Sequence, residues 1–131
     1  MAVQSFRDSI AWQKAMDLSV AVYDVTRVFP KEEMFGLTSQ LRRASVSVAS
    51  NIAEGQGRAT SGEFIHFLGM ARGSALEVET QLELAMRVGL GISDDIRNVQ
   101  HKATEVVRIL NASLSSLRNR KASQSKETNT N

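Results

Sequence analysis

The sequence has no cysteine, a single proline and few aromatic residues. Its 131 residues include no Cys, one Pro, five Phe, one Tyr and one Trp. Without cysteine, the chain has no disulfide, no thiolate metal site and no cysteine nucleophile. This suits a reducing compartment, and we expect a cytoplasmic protein. With only one proline, the chain can form long, uninterrupted helices.

Long apolar runs and a strong excess of either charge are also missing. No stretch reaches the roughly 18 consecutive apolar residues of a membrane-spanning helix, so we expect no membrane association. The N-terminus lacks the apolar core of a signal peptide. The 16 basic and 14 acidic residues give a formal net charge of +2. This small excess of positive charge does not predict a high non-specific affinity for nucleic acid.

Apolar residues instead recur at three- and four-residue steps along four segments, which is the spacing of amphipathic helices. The predicted helices run from about Ser9 to Phe29, from Leu37 to Gly55, from Thr60 to about Gly89, and onward from Ser93. The predicted core residues are Ala11, Ala15, Leu18, Val22, Val25 and Phe29; Leu37, Leu41, Ala44, Val48 and Ile52; Phe64, Leu68, Ala71, Ala75, Val78, Leu82 and Ala85; and Ile96, Val99, Ala103, Val106, Leu110, Leu114 and Leu117.

Long helices joined by short loops predict an all-α fold, an antiparallel up-down-up-down four-helix bundle. We assign residues 1–120 to this single domain. Residues 121–131 are polar and lack any large apolar side chain. We therefore predict a disordered C-terminal tail there.

Local signals set the ends of the predicted helices. Asp8 is a candidate N-cap for the first helix, and Pro30 stops it. Gly55 suits a left-handed C-terminal cap of the second helix. Thr60 and Glu63 have the spacing of a capping box at the start of the third.

The second helix has a polar stripe beside its apolar one. Arg43, Ser47, Asn51 and Glu54 recur at helical steps, and small residues fill the space between the two stripes. Such a helix is suited to lie close to neighbours on both sides. We predict a structural polar network or subunit interface formed by Gln40, Arg43, Ser47, Asn51, Glu54, Ser74 and Glu77. A ligand site is the alternative.

Specific partners can be suggested within this network. Arg43 is placed to pair with Glu77 or Glu79 on the third helix. Asn51 and Glu54 are expected to bond across a close contact with Gly69, Gly73 or Ser74.

Further apolar residues fall outside the predicted core stripes. They are Trp12, Met16 and Tyr23 on the first helix, and Ile65, Met70, Leu76 and Leu84 on the third. They indicate either a broad core or a second buried face between subunits.

Basic residues gather around the second helix and toward the C-terminus. The candidate nucleic-acid contacts are Arg42, Arg58, Arg118, Arg120 and Lys121. Solvated helix ends explain the same charges without a ligand. One chain offers few phosphate contacts, but a ring of chains would repeat them and add avidity.

Catalytic motifs are weak or incomplete. Glu63 and His66 have the Glu-x-x-His spacing of di-metal bundles, but the only other histidine, His101, follows Asn98 and completes no second pair. The Gly55-Gln56-Gly57 loop follows a helix and lacks the Lys of a phosphate loop. No nucleophile motif is present. We expect no metal, no cofactor and no enzymatic activity.

Several motifs resemble one known family, the 23S rRNA intervening-sequence proteins. They are Phe6-x-Asp8, Trp12-Gln13-Lys14-Ala15, Phe29-Pro30, Glu33, Phe35-Gly36-Leu37-Thr38-Ser39-Gln40-Leu41-Arg42-Arg43-Ala44, Ser47-Val48, Asn51-Ile52-Ala53-Glu54-Gly55 and Gly73-Ser74. The resemblance spans roughly residues 6 to 90. The family usually has proline where this chain has Ala49, so the second helix is expected to be straighter here.

The resemblance implies a four-helix bundle that assembles as a homopentameric ring. A similar fold occurs in the accessory variability protein of diversity-generating retroelements, a basic pentameric barrel thought to bind nucleic acid and a reverse transcriptase. We therefore expect a bacterial, self-assembling protein whose partner is nucleic acid, RNA or DNA, and we take RNA as the first choice. The alternative is a scaffold or adaptor that binds only protein.

Overall fold

Four long helices account for most of the residues that the structure, a computed structural model, describes. Residues 5–129 are described, with side chains to residue 126, and they contain no strand. The helices are α1 (Ile10–Thr26), α2 (Leu37–Gln56), α3 (Ser61–Arg87) and α4 (Ser93–Asn129), accompanied by one-turn 3-10 helices at Phe6–Asp8 and Lys31–Glu33. The all-α prediction is confirmed.

Each helix packs against two of the other three. Helix α2 lies between α1 and α3, and α4 packs on α3 and α1. The diagonal pairs α1–α3 and α2–α4 share no close contact within residues 5–129. Between α1 and α2, Thr26 meets Arg42 whereas Ser19 meets Ser45, so residue numbers run in opposite directions. The α2–α3 and α3–α4 pairs show the same reversal, which antiparallel neighbours produce.

The core lies where the helical periodicity predicts it. Every predicted core residue is buried except Phe64 and Leu117, which are half-buried against the same cluster. Many of these residues are Ala or Val, whose short side chains let the helix axes approach closely.

The helix starts were predicted with one error. Ser9, not Asp8, caps α1, and its Oγ accepts the Trp12 N–H at 3.2 Å. Asp8 belongs to the preceding 3-10 turn. The Thr60 cap is confirmed, since its Oγ1 accepts the Glu63 N–H at 3.2 Å.

Gly55 does not end α2 in a left-handed conformation. The helix continues through Gly55 to Gln56, and within residues 5–129 only Gly89 and Gly91 have positive φ. Gly55 is buried, and a Cβ there would lie 3.0 Å from Phe67 Cβ. The glycine is therefore required by the close approach of α2 to α3, not by backbone conformation.

Helix α4 continues into the segment for which a disordered tail is predicted. Helix α4 runs on to Asn129, and residues 121–126 are exposed. Once a helix exists, each added residue gains a backbone hydrogen bond without a new nucleation cost, so α4 can extend here with little burial of its side chains. The last two predicted tail residues lie outside the described range, and the domain boundary at residue 120 stays a prediction.

We expect Gly55→Ala to destabilise the protein despite alanine's higher helix propensity. The added methyl group would meet Phe67 Cβ and the Phe64 ring, and overpacking of this kind costs about 1–3 kcal/mol. The propensity gain returns only about 1 kcal/mol. Urea denaturation followed by circular dichroism measures the difference.

Gly73→Ala is the matched control. Gly73 is an exposed α3 residue whose added Cβ would meet nothing within 4 Å. This variant should gain about 0.5–1 kcal/mol, since only the propensity term acts. Equal stabilisation by both substitutions would contradict the proposed role of Gly55.

Candidate functional site

Hydroxyl groups bridge α2 to both of its neighbours. On the α1 side, Ser19 Oγ and Ser45 Oγ are 3.0 Å apart and buried. Ser45 donates to the Arg42 carbonyl at 2.9 Å, so Ser19 is the donor to Ser45. On the α3 side, Ser74 Oγ donates to Ser47 Oγ at 3.0 Å. Serine side chains are short, so both bonds require closely spaced helices.

Part of the predicted polar network forms on the α3 side. Asn51 Nδ2 donates to the Ser47 carbonyl at 2.8 Å and to Ser47 Oγ at 3.0 Å. With the Ser74 bond, Ser47, Asn51 and Ser74 form one half-buried network across α2 and α3.

The other predicted members lie outside this network. Gln40, Arg43 and Glu77 are exposed and border a shallow groove of about 360 Å³ that Ser47 and Ser74 also line. Their assignment to a subunit interface stays a prediction. Glu54 is exposed and pairs instead with Arg58, just beyond the end of α2, at 3.5 Å.

The ion pair suggested for Arg43 is not formed among the described side chains, although Arg43 and Glu77 border the same groove. Among residues 5–126, Arg43 forms no ion pair with Glu77 or Glu79. Glu79 faces α4, where it accepts from the Thr104 hydroxyl at 2.9 Å. Residues two positions apart on a helix point in widely different directions. Sequence spacing alone did not establish which acidic residue of α3 faces α2.

The glycines of α3 were also placed on the wrong face. A Cβ at Gly69 or Gly73 would meet nothing within 4 Å, so both point away from α2. Ser74 is the one of the three suggested residues that reaches the polar stripe of α2.

Four of the five candidate nucleic-acid contacts share one end of the bundle. This basic end comprises Arg58, Arg118, Arg120 and Lys121, and all four are exposed. Arg58 stacks over the Phe67 ring at 4.6 Å. Arg120 borders an end cavity of about 400 Å³ that Gln56 of α2 and Phe64 of α3 also line. Lys121 Nζ lies beside Gly62, at the start of α3.

Arg42 lies elsewhere and has a structural role. Its Nε donates to Thr26 Oγ1 at 3.0 Å, and its guanidinium stacks over the Tyr23 ring at 4.7 Å. Arg42 precedes Gln56, the last residue of α2, by about 21 Å along the helix axis at 1.5 Å per residue, and Arg58 lies beyond that end. The structure therefore does not bring Arg42 to the basic end.

The opposite end of the bundle is richer in carboxylates. The residues that form this acidic end are Asp24, Glu32, Glu33, Glu83, Asp94 and Asp95. Asp24, Glu83 and Asp94 are each paired with a neighbouring arginine, at 3.3, 3.8 and 3.4 Å. The two ends therefore differ in charge.

The outer surface between α1 and α2 carries an uncharged depression. We call it the α1–α2 groove; its volume is about 270 Å³, and it is lined by Trp12, Met16, Ser19, Val46, Ala49, Ser50 and Ala53. Met16 and Val46 are 40% and 45% exposed. Of the apolar residues outside the predicted core stripes, Trp12 and Met16 line this groove. On α3, Met70 and Leu84 are exposed, whereas Ile65 and Leu76 are half-buried.

One exposed residue was missed by the helical pattern. The Phe35 side chain is 97% exposed. It precedes α2 in a turn, where no periodicity marks a face. A large apolar residue in a predicted loop was the sequence signal that could have indicated an exposed Phe35.

The suggested metal and phosphate motifs have ordinary positions. Glu63 and His66 are exposed in the first turns of α3, and no group of three or more potential metal-ligating His, Cys, Asp or Glu side chains gathers within the described residues. Gly55 and Gln56 belong to the last turn of α2. No helix in the described part of the chain is long and apolar enough to span a membrane.

Comparison with known proteins gives a family and a structural relative. The family model for 23S rRNA-intervening sequence proteins matches residues 7–112. A crystal structure from Bacteroides thetaiotaomicron, of a protein with unknown function from the S23 ribosomal protein family, superposes with a TM-score of 0.72 at 22% identity. The match covers 80% of this chain and 98% of that one, and it supports the fold. No curated protein matches significantly.

We expect the Ser19–Ser45 bridge to show strong coupling in a double-mutant cycle. Ser45→Ala removes the acceptor of the buried Ser19 hydroxyl, and an unsatisfied buried donor costs about 1–3 kcal/mol. Adding Ser19→Ala removes that orphaned donor, so the double variant should be no less stable than Ser45→Ala alone. Urea denaturation of the four proteins gives the coupling energy.

The Ser47–Ser74 pair provides the matched comparison. Like the Ser19–Ser45 pair, it joins two serine hydroxyl oxygens 3.0 Å apart, but it is only part-buried. Water can therefore replace the lost hydrogen-bond partner. The coupling of this pair should be smaller. Simple additivity at Ser19 and Ser45 would contradict the importance of the buried bridge.

Proposed function

The chain belongs to the 23S rRNA-intervening sequence protein family, and we propose that it is a non-enzymatic, self-associating helical bundle that binds RNA through a repeated basic surface. The observation that carries the proposal is the segregation of the exposed side chains. An uncharged apolar groove lies between α1 and α2, while three exposed cations that lie outside the ion pairs of the described residues, Arg118, Arg120 and Lys121, gather at one end of the bundle.

Self-association is supported by apolar side chains that the monomer leaves in water. Met16, Val46 and Phe35 are 40%, 45% and 97% exposed on or beside the outer surface of α1 and α2. Exposed apolar surface of this kind marks interaction sites in soluble proteins. The resemblance to the family implies a homopentamer, which we adopt as the proposed assembly.

RNA binding is supported by the basic end. Arg118, Arg120 and Lys121 are exposed on α4 and are not among the side chains in the ion pairs of the described residues. Arginine and lysine of this kind contact phosphates without reading the base sequence. The family is named after intervening sequences of 23S rRNA, and we therefore take RNA as the first nucleic acid to test.

Assembly would compensate for the small charge of one chain. A single subunit presents few phosphate contacts, but a ring repeats the basic end once per subunit and converts weak contacts into avidity. A scaffold that binds only protein is the alternative function, and the exposed apolar residues suit it equally. RNA binding separates the two.

We expect the intact protein to bind single-stranded RNA with an affinity that falls steeply as salt rises, because phosphate neutralisation releases counterions. Arg120→Glu combined with Lys121→Glu should weaken binding about tenfold or more and flatten the dependence of log K on log salt. Fluorescence anisotropy with labelled RNA at several salt concentrations measures both effects.

The matched control is Lys102→Glu combined with Arg108→Glu. This pair also reverses one lysine and one arginine on exposed positions of α4, but away from the basic end. It should retain most of the affinity. Equal loss in both pairs would indicate attraction by net charge alone, and absence of salt-dependent binding to the unaltered protein would favour the scaffold function.

A further inference from the structure

Phe35 is the most exposed large apolar side chain of the described residues, at 97%. It lies in the turn between the 3-10 helix Lys31–Glu33 and α2, beside Met34, which is 46% exposed. Burial of a phenylalanine side chain is worth about 1.5–3 kcal/mol. An apolar pair at the tip of a turn is therefore a strong candidate to insert into a partner.

The α1–α2 groove has the size and chemistry to receive one such side chain. Its volume of about 270 Å³ is below the roughly 300–1,000 Å³ typical of small-molecule pockets. Trp12 and Met16 form one wall, and Ala49 and Ala53 leave space between the helices. None of its lining residues is charged.

Phe35 cannot fill the groove of its own chain. It precedes the first residue of α2, whereas Ala49 and Ala53 lie in the second half of the same continuous helix. At 1.5 Å per residue, the separation along the helix axis is about 20 Å. The apolar side chain and the apolar groove can meet only between two copies.

We propose that Phe35 of one subunit inserts into the α1–α2 groove of the next subunit, head to tail. This inference rests on the self-association proposed above and names the surfaces that carry it. The charges around the two surfaces are complementary. Phe35 belongs to the acidic end, although Arg42 and Arg43 border the same depression as Phe35. The groove extends toward the basic end, so a head-to-tail contact brings the two unlike ends together.

A two-fold dimer that exchanges Phe35 side chains is disfavoured by Arg43. In such a dimer the axis would pass midway between Phe35 and the groove, close to Arg43 on α2. Exposed Arg43 would then face its own symmetry mate, and juxtaposed like charges are costly. A head-to-tail contact avoids this clash. Repeated contacts of this kind close into a ring of more than two subunits when the rotation permits closure.

The test compares Phe35→Ala with Val88→Ala by mass measurement of the intact assemblies across a dilution series. The unaltered protein should assemble with more than two copies of the 14.4 kDa chain. Phe35→Ala should weaken assembly about tenfold or more, as the loss of an anchor residue does. Val88 is also exposed and apolar, at 60%, and its truncation should leave assembly unchanged.

Ala53→Phe tests the groove independently by filling it. This variant should also fail to form the ring, although its own Phe35 is intact. Mixed with Phe35→Ala, whose groove is intact, it should form a complex with one chain of each kind. Circular dichroism should show native helix content for every variant.

Trp12 supplies a second readout, because it is the only tryptophan and lines the groove. Its emission should shift to longer wavelength when the unaltered protein dissociates on dilution, and Phe35→Ala should show the dissociated spectrum throughout. Phe35→Leu should retain assembly, since it keeps an apolar side chain.

Unchanged assembly of Phe35→Ala would overturn this interface while leaving self-association standing. A two-subunit mass for the unaltered protein would overturn the head-to-tail arrangement. A monomer at all concentrations would overturn self-association itself, and this inference with it.

Discussion

The close approach of α2 to both α1 and α3 is the constraint on which the rest of the structure depends. Ser45 meets Ser19 on one side and Ser47 meets Ser74 on the other, each pair with its hydroxyl oxygens 3.0 Å apart. Side chains this short bond across two helices only when the helix axes are near each other. Gly55 extends the same requirement to the end of α2, where a Cβ would press on α3.

The shape of the outer surface follows from this packing. Since α2 carries Ala49, Ser50 and Ala53 where it passes α1, it presents little side-chain bulk there. Trp12 and Met16 on α1 are much larger. Small residues beside large ones leave a depression, and the missing charges make it apolar. The α1–α2 groove is therefore a consequence of the close packing of α2.

Periodicity predicted the fold and the core well, because burial on one helix face repeats over many turns and each error is averaged out. Pairwise contacts were predicted less well, since they depend on helix rotation and axial shift. Ser47, Asn51 and Ser74 form the hydrogen bonds that their spacing suggested, whereas Arg43 and Glu77 border one groove without forming an ion pair among the described side chains. Ser19 and Ser45 were overlooked because a buried serine has the same sequence signal as an exposed one. Phe35 lies in a turn, where periodicity carries no information.

The two proposed surfaces are compatible because they lie on different corners of the bundle. The groove is formed by α1 and α2, whereas Arg118, Arg120 and Lys121 belong to α4, which is diagonal to α2. A head-to-tail contact at the groove would leave these α4 cations in solvent. Each added subunit would then lose few phosphate-binding charges while contributing those of its own α4. Assembly and RNA binding would therefore reinforce each other, since the same contact that buries apolar surface also multiplies the exposed cations.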